Sequence, residues 1–190
     1  MDTANTSLVN DYLTPVGNAP PYDADLDEIF QWYVQNITGL PGNLVRPRWQ
    51  AQPPRQPPAS TTWCAVGVIN VYQIGFPQID HQGTDATNPD DGTDTMTMLE
   101  RVEIVASFYG PSSQQYCATL RDGCYVAQNN DQLKPYGMAL ASVDSIRSIP
   151  TLRNTQWLKR YDLRFFVNRL TQRTYQIRNL ASAPVNINKD

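Results

Sequence analysis

The sequence is short of the residues on which most catalytic and metal sites depend. Its 190 residues include one histidine, His81, and three cysteines, with no CxxC, HExxH or His-rich cluster. The patterns GxSxG, GxxxxGK[ST] and GxGxxG of serine hydrolases and nucleotide-binding proteins are also missing. We therefore predict that the chain is not an enzyme, and we assign it no catalytic residues, no cofactor and no metal ligands.

Long apolar runs are missing as well. No stretch of about 18 apolar residues occurs, and the polar, acidic N-terminus lacks the basic start and apolar segment of a signal peptide. An odd number of cysteines cannot close into a complete disulfide set. We expect no membrane contact and a reducing cytoplasm. Cys117 and Cys124 share one helical face and are interpreted as small buried apolar residues, with a reactive pair as the alternative.

Charge is distributed unevenly along the chain, although the net charge is only −3. Residues 1–100 hold three arginines against twelve acidic residues, a net charge of −9. Residues 101–190 hold twelve basic residues against six acidic ones, a net charge of +6. In an oligomer, the acidic surface of one subunit can meet the basic surface of the next, and such complementarity favours specific encounter.

The first regular element is predicted to be an amphipathic helix in DLDEIFQWYVQNITGLPG. Asp25 is placed as its N-cap, with Glu28 three residues later in capping-box register, and Gly39 ends it. Its apolar face is expected to contain Leu26, Ile29, Phe30, Tyr33 and Ile37, at the spacing of one helical face.

The remaining segments predict mainly strands. These are a short strand in 43–50, which Pro47 confines to a sheet edge or a break, a strand at 62–75 with both faces largely buried, long strands at 95–110 and 157–177, and a strand region at 138–150. In the first long strand one face is expected to hold Val102, Ile104, Ala106 and Phe108, and the other Arg101, Glu103, Val105, Ser107 and Tyr109. In the second, Tyr161, Leu163, Phe165 and Val167 are expected to alternate with Arg160, Asp162, Arg164 and Phe166. A helix is predicted from about Ser113, with Tyr116, Leu120 and Cys124 inward, and a short one near Asn130. This order predicts an α+β fold: a two-layer domain whose mostly antiparallel β-sheet has helices packed on one face, plus extended arms.

Four segments lie outside these elements. We expect residues 1–24 to form an extended N-terminal arm, residues 25–178 a single α+β domain, and residues 179–190 a C-terminal tail. Within the domain, residues 50–60 are a proline-rich arm, with a polyproline ligand as the alternative, and residues 76–95 are an acidic loop. Five aspartates in this loop leave calcium open as an alternative, although the EF-hand order is missing.

Three stretches together resemble the neck or tail-terminator protein family of tailed bacteriophages. They are GLPGNLVRPRWQAQPPRQPPASTTWCAVGV (39–68), ASFYGPSSQQYCATLRDG (106–123) and QWLKRYDLRF (156–165). The likeness covers roughly residues 7–178, and none of the three is a catalytic motif. The acidic loop looks longer than this family leads us to expect.

The resemblance implies a structural virion protein, assembled in the host bacterial cytoplasm. Such proteins form a ring, commonly a hexamer, that ends the tail tube and joins it to the head connector, with DNA passing through the lumen. The implied partners are other copies, the tail tube protein, the connector and a tail sheath. From their position in the arms and the basic strand, we select as candidate subunit-interface residues Arg46, Arg48, Trp49, Arg55, Trp63, Arg160, Arg164, Arg169 and Arg173.

A different class of function stays open. Arg160, Arg164, Arg169, Arg173 and Arg178 concentrate positive charge near the C-terminus, and such a cluster can contact phosphates. The alternative is therefore a nucleic-acid-binding or packaging accessory protein. A sequence pI of about 5.1 and the lack of a helix-turn-helix, RNP or zinc-finger pattern favour salt bridges instead.

Overall fold

A computed structural model describes residues 12–83, 92–153 and 155–178, which form an α+β fold as predicted. The helices of these ranges are α1 (Asp23–Thr38), α2 (Ser113–Gly123) and α3 (Ala127–Asp131). The strands are β1 (Val45–Pro47), β2 (Trp63–Gln82), β3 (Gly92–Tyr109), β4 (Met138–Val143), β5 (Arg147–Ser148), β6 (Thr151–Arg153), β7 (Gln156–Leu158) and β8 (Arg160–Ile177). Short 3₁₀ turns occupy Gly42–Leu44 and Lys134–Tyr136. No described helix is both long enough and apolar enough to cross a bilayer.

The main sheet has the strand order β1-β2-β3-β8-β4, and β5 also pairs with β8. Strand β4 is antiparallel to β8, with Met138 opposite Arg169. Strand β1 runs parallel to β2, with Val45 opposite Cys64, and lies at the sheet edge, as Pro47 predicted. Strands β6 and β7 form a separate antiparallel pair.

The chain divides into two compact units. The larger unit contains Pro21–Ile74 and Leu99–Leu170, and therefore α1, α2 and the first part of β2. The smaller unit contains Met1–Pro20, Gly75–Met98 and Thr171–Asp190. Within the smaller unit, the Val16 amide donates to the Thr174 carbonyl at 2.7 Å, which ties the N-terminal segment to β8.

The core of the larger unit lies between the helices and one face of the sheet. Strand β3 supplies four fully buried side chains at alternate positions, because successive side chains of a strand point to opposite faces. They are Val102, Ile104, Ala106 and Phe108. From α1, Phe30 packs edge-on against Phe165 of β8, with ring centroids 6.0 Å apart. The burial of Leu163, Phe165 and Val167 confirms the predicted alternation in β8.

Helix α1 begins earlier than its sequence indicated. Its N-cap is Tyr22, which makes no side-chain capping bond, and its first residue is Asp23, whose φ of +47° lies in the left-handed region. The prediction that Asp25 caps the helix is therefore wrong, because the chain turns into the helix at Tyr22, whose carbonyl already accepts hydrogen bonds from the Asp25 and Leu26 amides. Gly39 does end the helix, in a left-handed conformation, with its amide donating to the Gln35 carbonyl at 2.8 Å.

Gly123 at the end of α2 allows close packing against α1. A Cβ at this position would lie 2.3 Å from Cγ2 of Ile37, a distance that real Cβ atoms do not show. The glycine weakens α2 as a helix former, but it lets the two helices approach. The predicted inward residues Leu120 and Cys124 are fully buried, and Cys117 is as well.

Two predictions about the long strands are wrong. Only the first part of β2, Trp63–Gly67, is buried, and most of the strand beyond it is exposed. Residues 76–95 are not a loop throughout, because β2 continues to Gln82 and β3 begins at Gly92. Backbone pairing gives these polar residues strand structure that their composition does not suggest. Residues 84–91 of the predicted loop, residues 1–11 of the arm and the 179–190 tail lie outside the described residues.

Candidate functional site

Four side chains of the larger unit form a row across four neighbouring strands, on the sheet face opposite the core. The Trp63 ring of β2 stacks on the Tyr109 ring of β3, with centroids 4.5 Å apart and planes 13° apart. The Arg46 guanidinium of β1 lies 5.8 Å from the Trp63 ring centroid. That of Arg160 in β8 lies 5.4 Å from the Tyr109 centroid. Cations favour the negative faces of aromatic rings, so this stacked row holds a cation at each end.

A second layer of contacts lies beside the stacked row. The Ser107 hydroxyl oxygen is fully buried and accepts hydrogen bonds from Arg48 Nη1 at 3.1 Å and Arg160 Nη2 at 3.3 Å. Arg160 also donates to both carboxylate oxygens of Asp162, at 2.7 and 2.6 Å. One neutral oxygen therefore holds two guanidinium groups, here called the guanidinium pair, and a single carboxylate compensates one of them.

The proline-rich segment forms one wall of a cleft beside these groups. Arg46 donates to the Asn43 carbonyl and, through Nη1, to the Arg55 carbonyl, each at 3.0 Å, which holds the segment near β1. The cleft has a volume of about 370 Å³ and is lined by Arg46, Pro47, Arg48, Trp49, Gln50, Pro53, Pro54, Gln56, Trp63, Ala65 and Tyr109. We call it the arginine–tryptophan cleft. Its two tryptophans differ, since Trp63 is 7% exposed and Trp49 is 76% exposed.

The charges of the cleft are stable near neutral pH. The hydrogen bond to Asp162 raises the pKa of Arg160, so this guanidinium stays protonated. Burial is the main cause that raises the pKa of Tyr109, and the phenol therefore stays neutral beneath Arg160. Among the ion pairs of the described residues, none includes Arg46 or Arg48. The cleft is therefore cationic.

A separate polar cluster lies further along the same sheet face. Glu103 is almost fully buried and accepts hydrogen bonds from Tyr72 at 2.7 Å and Asn70 at 2.9 Å. Arg164 forms a 3.3 Å ion pair with its other oxygen. The two neutral hydrogen bonds are the main cause that lowers the pKa of Glu103. Arg164 thus has a carboxylate partner within its own chain.

The structure brings six of the nine predicted interface residues together. Arg46, Arg48, Trp49 and Trp63 line the cleft, Arg55 reaches it through its backbone, and Arg160 lies behind Tyr109. The other three, Arg164, Arg169 and Arg173, lie further along β8. Arg173, half-buried, belongs to the smaller unit.

Arg169 belongs to the interior of the larger unit. Its side chain is fully buried, pairs with Glu100 at 2.7 Å and donates to the Pro21 carbonyl at 2.6 Å. It also lies 4.8 Å from the ring centroid of Tyr22. These contacts hold the chain just before α1 against β8. A side chain with no exposed surface has none to offer a second subunit, so we leave Arg169 out of the interface proposed below.

Sequence reasoning missed the residues that organise the cleft, namely Ser107, Tyr109 and Asp162. Alternation along β3 did place Ser107 and Tyr109 on the face away from the core, but nothing in it indicated burial. The structure buries Glu103, Val105 and Ser107 on that face as well. The sequence did hold one signal for this burial. Small and acidic residues alternate with many arginines in these strands, and the long side chains of arginine can cover the surface around them.

The three cysteines are buried free thiols in the described structure. Burial raises the pKa of Cys117 to about 12 and that of Cys124 to about 11, and it raises the pKa of Cys64 well above the ordinary value. A thiol that stays protonated is a poor nucleophile. These properties match small buried apolar residues and not a reactive pair.

His81 does not join a cluster of potential metal ligands in the described ranges. Its Nδ1 lies 2.8 Å from an Asp94 carboxylate oxygen, and the imidazole is 56% exposed. Within residues 12–83, 92–153 and 155–178, no three His, Cys, Asp or Glu side chains are grouped so that they could hold a metal ion.

A family model described as phage neck terminator protein matches residues 24–190, and the chain belongs to this family. No curated protein shows significant similarity to it. Membership gives the protein a structural role in the phage neck and confirms the family suggested by the three sequence stretches.

Proposed function

We propose that the protein forms a closed ring of identical subunits, a hexamer, in the neck of a tailed phage. The ring ends the tail tube and joins it to the head connector, with a tail sheath as a further neighbour, and DNA passes through its lumen without sequence-specific binding. Assembly takes place in the host cytoplasm. Family membership supports the location, and the surfaces described below support the assembly.

The observation that carries the proposal is the arginine–tryptophan cleft. Around a closed ring, each subunit contacts its neighbour through two different surfaces. The cleft supplies one surface with the enrichment in arginine and tryptophan that is typical of interface hot spots. The complementary surface of the neighbour would be acidic, and the twelve acidic residues among positions 1–100 are the candidates for it. The exposed Trp49 ring is apolar surface that a neighbour can bury.

Strand β2 offers a second contact surface in the smaller unit. Among the described strands, β1 pairs with β2 only up to Val66, so residues 76–82 have no strand on the side away from β3. Here Phe76 is 97% exposed and Ile79 is 59% exposed. An exposed strand edge with large apolar side chains favours pairing with another chain.

Imaging of the purified protein tests the proposal. Negative-stain electron microscopy and native mass spectrometry should show closed rings of one stoichiometry, either alone or on the ends of tail tubes. A protein that stays monomeric under all these conditions and binds DNA in a salt-sensitive manner would contradict the ring and support the nucleic-acid accessory. The carboxylate partners of Arg160, Arg164 and Arg169 already reduce the charge available to phosphates.

A further inference from the structure

The guanidinium pair sets two positive charges beside a single carboxylate, that of Asp162. Arg48 Nη1 and Arg160 Nη2 lie 3.1 and 3.3 Å from the same Ser107 oxygen, so they are at most 6.4 Å apart, the sum of the two distances. Two positive charges at this separation repel each other, and a neutral hydroxyl offsets little of that repulsion. Asp162 already accepts two short hydrogen bonds from Arg160.

We propose that Arg48, with Arg46 beside it in the cleft and Arg160 as the fixed member of the guanidinium pair, forms a carboxylate-binding site. Its ligand is an aspartate or glutamate side chain on an acidic polypeptide segment that docks in the arginine–tryptophan cleft. Arginine is suited to this task because its planar fork matches the two oxygens of a carboxylate. Arg48 is exposed and can turn toward a ligand, whereas the Arg160 side chain, 18% exposed, is held in place by Asp162.

The surroundings favour a polypeptide over a nucleic acid. Trp49, Pro53 and Pro54 line the cleft beside the arginines and present apolar surface to a chain that enters it. A protein with a net charge of −3 also repels an extended polyanion at long range, while a short acidic segment experiences mainly the local cationic field. The site rests on the proposed function only for the source of this segment, which is a neighbouring subunit of the ring.

Fluorescence anisotropy with a labelled hexaglutamate peptide tests the site, with hexaglutamine as the neutral probe. Wild-type protein should bind hexaglutamate, more weakly as salt rises, and should not bind hexaglutamine. Arg48→Gln should weaken binding at least tenfold, and Arg48→Lys should fall between the two because it keeps the charge but loses the fork. Arg101→Gln is the matched control. Arg101 is also exposed and lies six residues from Ser107 along β3, roughly 20 Å away.

Two results would overturn the inference: equal hexaglutamate binding by wild type and Arg48→Gln, or tighter Arg48-dependent binding of a thymidine oligonucleotide with the same number of charges. Ring formation is measured separately, by negative-stain electron microscopy and native mass spectrometry. Rings without hexaglutamate binding refute the carboxylate site alone. Arg48-dependent hexaglutamate binding by a protein that never forms rings refutes the ring and keeps the site.

Discussion

Neighbouring aromatic residues of the cleft differ in what they contribute to stability. Trp63 is stacked on Tyr109 and nearly buried, whereas most of Trp49 is in water. We expect Trp63→Ala to lower the free energy of unfolding by about 3–5 kcal/mol, the usual cost of truncating a buried aromatic residue. Trp49→Ala should change it by less than about 0.5 kcal/mol. Urea denaturation of both variants measures this, and equal effects would show that the stacked row is not a structural element.

Glu103 is expected to make stability depend on acidity. Hydrogen bonds from Asn70 and Tyr72, and the nearby Arg164, lower its pKa in the folded protein. A lowered folded pKa stabilises the fold above the ordinary glutamate pKa of about 4.3, and this contribution disappears as the pH falls through the folded pKa. The difference in unfolding free energy between wild type and Glu103→Gln should therefore shrink between pH 6 and pH 3.

Urea titrations of both proteins across that pH range test the expectation. Other carboxylates are common to the two proteins and cancel in the difference. A constant difference between pH 6 and pH 3 would mean that Glu103 titrates in the folded protein as it does in the unfolded chain.

At the scale of elements, the contact of α1 with α2 depends on Gly123. Alanine is the better helix former by about 1 kcal/mol, so propensity alone predicts that Gly123→Ala stabilises α2. The structure predicts the opposite, because the new Cβ would lie 2.3 Å from Ile37 Cγ2. Overpacking of this kind usually costs about 1–3 kcal/mol. We expect a net loss in denaturant melts.

The double variant Gly123→Ala, Ile37→Ala separates the two effects. Removing the Ile37 side chain removes the clash, so adding Gly123→Ala to Ile37→Ala should stabilise the protein or leave it unchanged. If the loss of stability in the double variant equals the sum of the losses in the two single variants, residues 37 and 123 are not in contact.

Elements could be predicted from the sequence where one face is apolar. The period of Leu26, Phe30 and Tyr33 indicated α1, and the alternation in β3 and β8 indicated two core strands. The ends of β2 and β3 could not be predicted, because their polar residues carry no burial signal and only backbone pairing makes them strands. The start of α1 was missed for a similar reason, since no side chain caps it.

At the scale of the whole molecule, the composition of the site could be predicted but its assembly could not. Proline, arginine and tryptophan between residues 46 and 63 indicated a contact surface. Nothing local indicated that Arg160, about a hundred residues later, would stack at the other end of the same row. Such long-range neighbours depend on the strand order, in which β8 lies beside β3. The burial of Arg169 could not be predicted for the same reason, because its partners Glu100 and Pro21 are distant in sequence.

Ring formation is expected to depend on Phe76. The side chain is almost wholly exposed, so Phe76→Ser should change the unfolding free energy of the isolated chain by less than about 0.5 kcal/mol. Burial of a phenylalanine in an interface contributes about 1.5–3 kcal/mol, so the substitution should weaken assembly roughly tenfold to hundredfold.

Mass photometry across a concentration series measures this weakening of assembly. Tyr125→Ser, at a 64% exposed aromatic after α2, is the control, and equal effects of both variants would exclude a specific contact at Phe76.

The unequal exposure of the four tryptophans also provides an optical signal. Trp32, Trp49 and Trp157 are each more than half exposed, and only Trp63 is buried. Water-exposed indoles emit at longer wavelengths and are quenched by acrylamide, whereas a buried indole is protected. In a variant with Trp32 and Trp157 replaced by phenylalanine, the long-wavelength part of the tryptophan fluorescence would therefore come from Trp49 in the cleft. A blue shift without loss of the protected component would reveal a partner entering the cleft of a folded subunit.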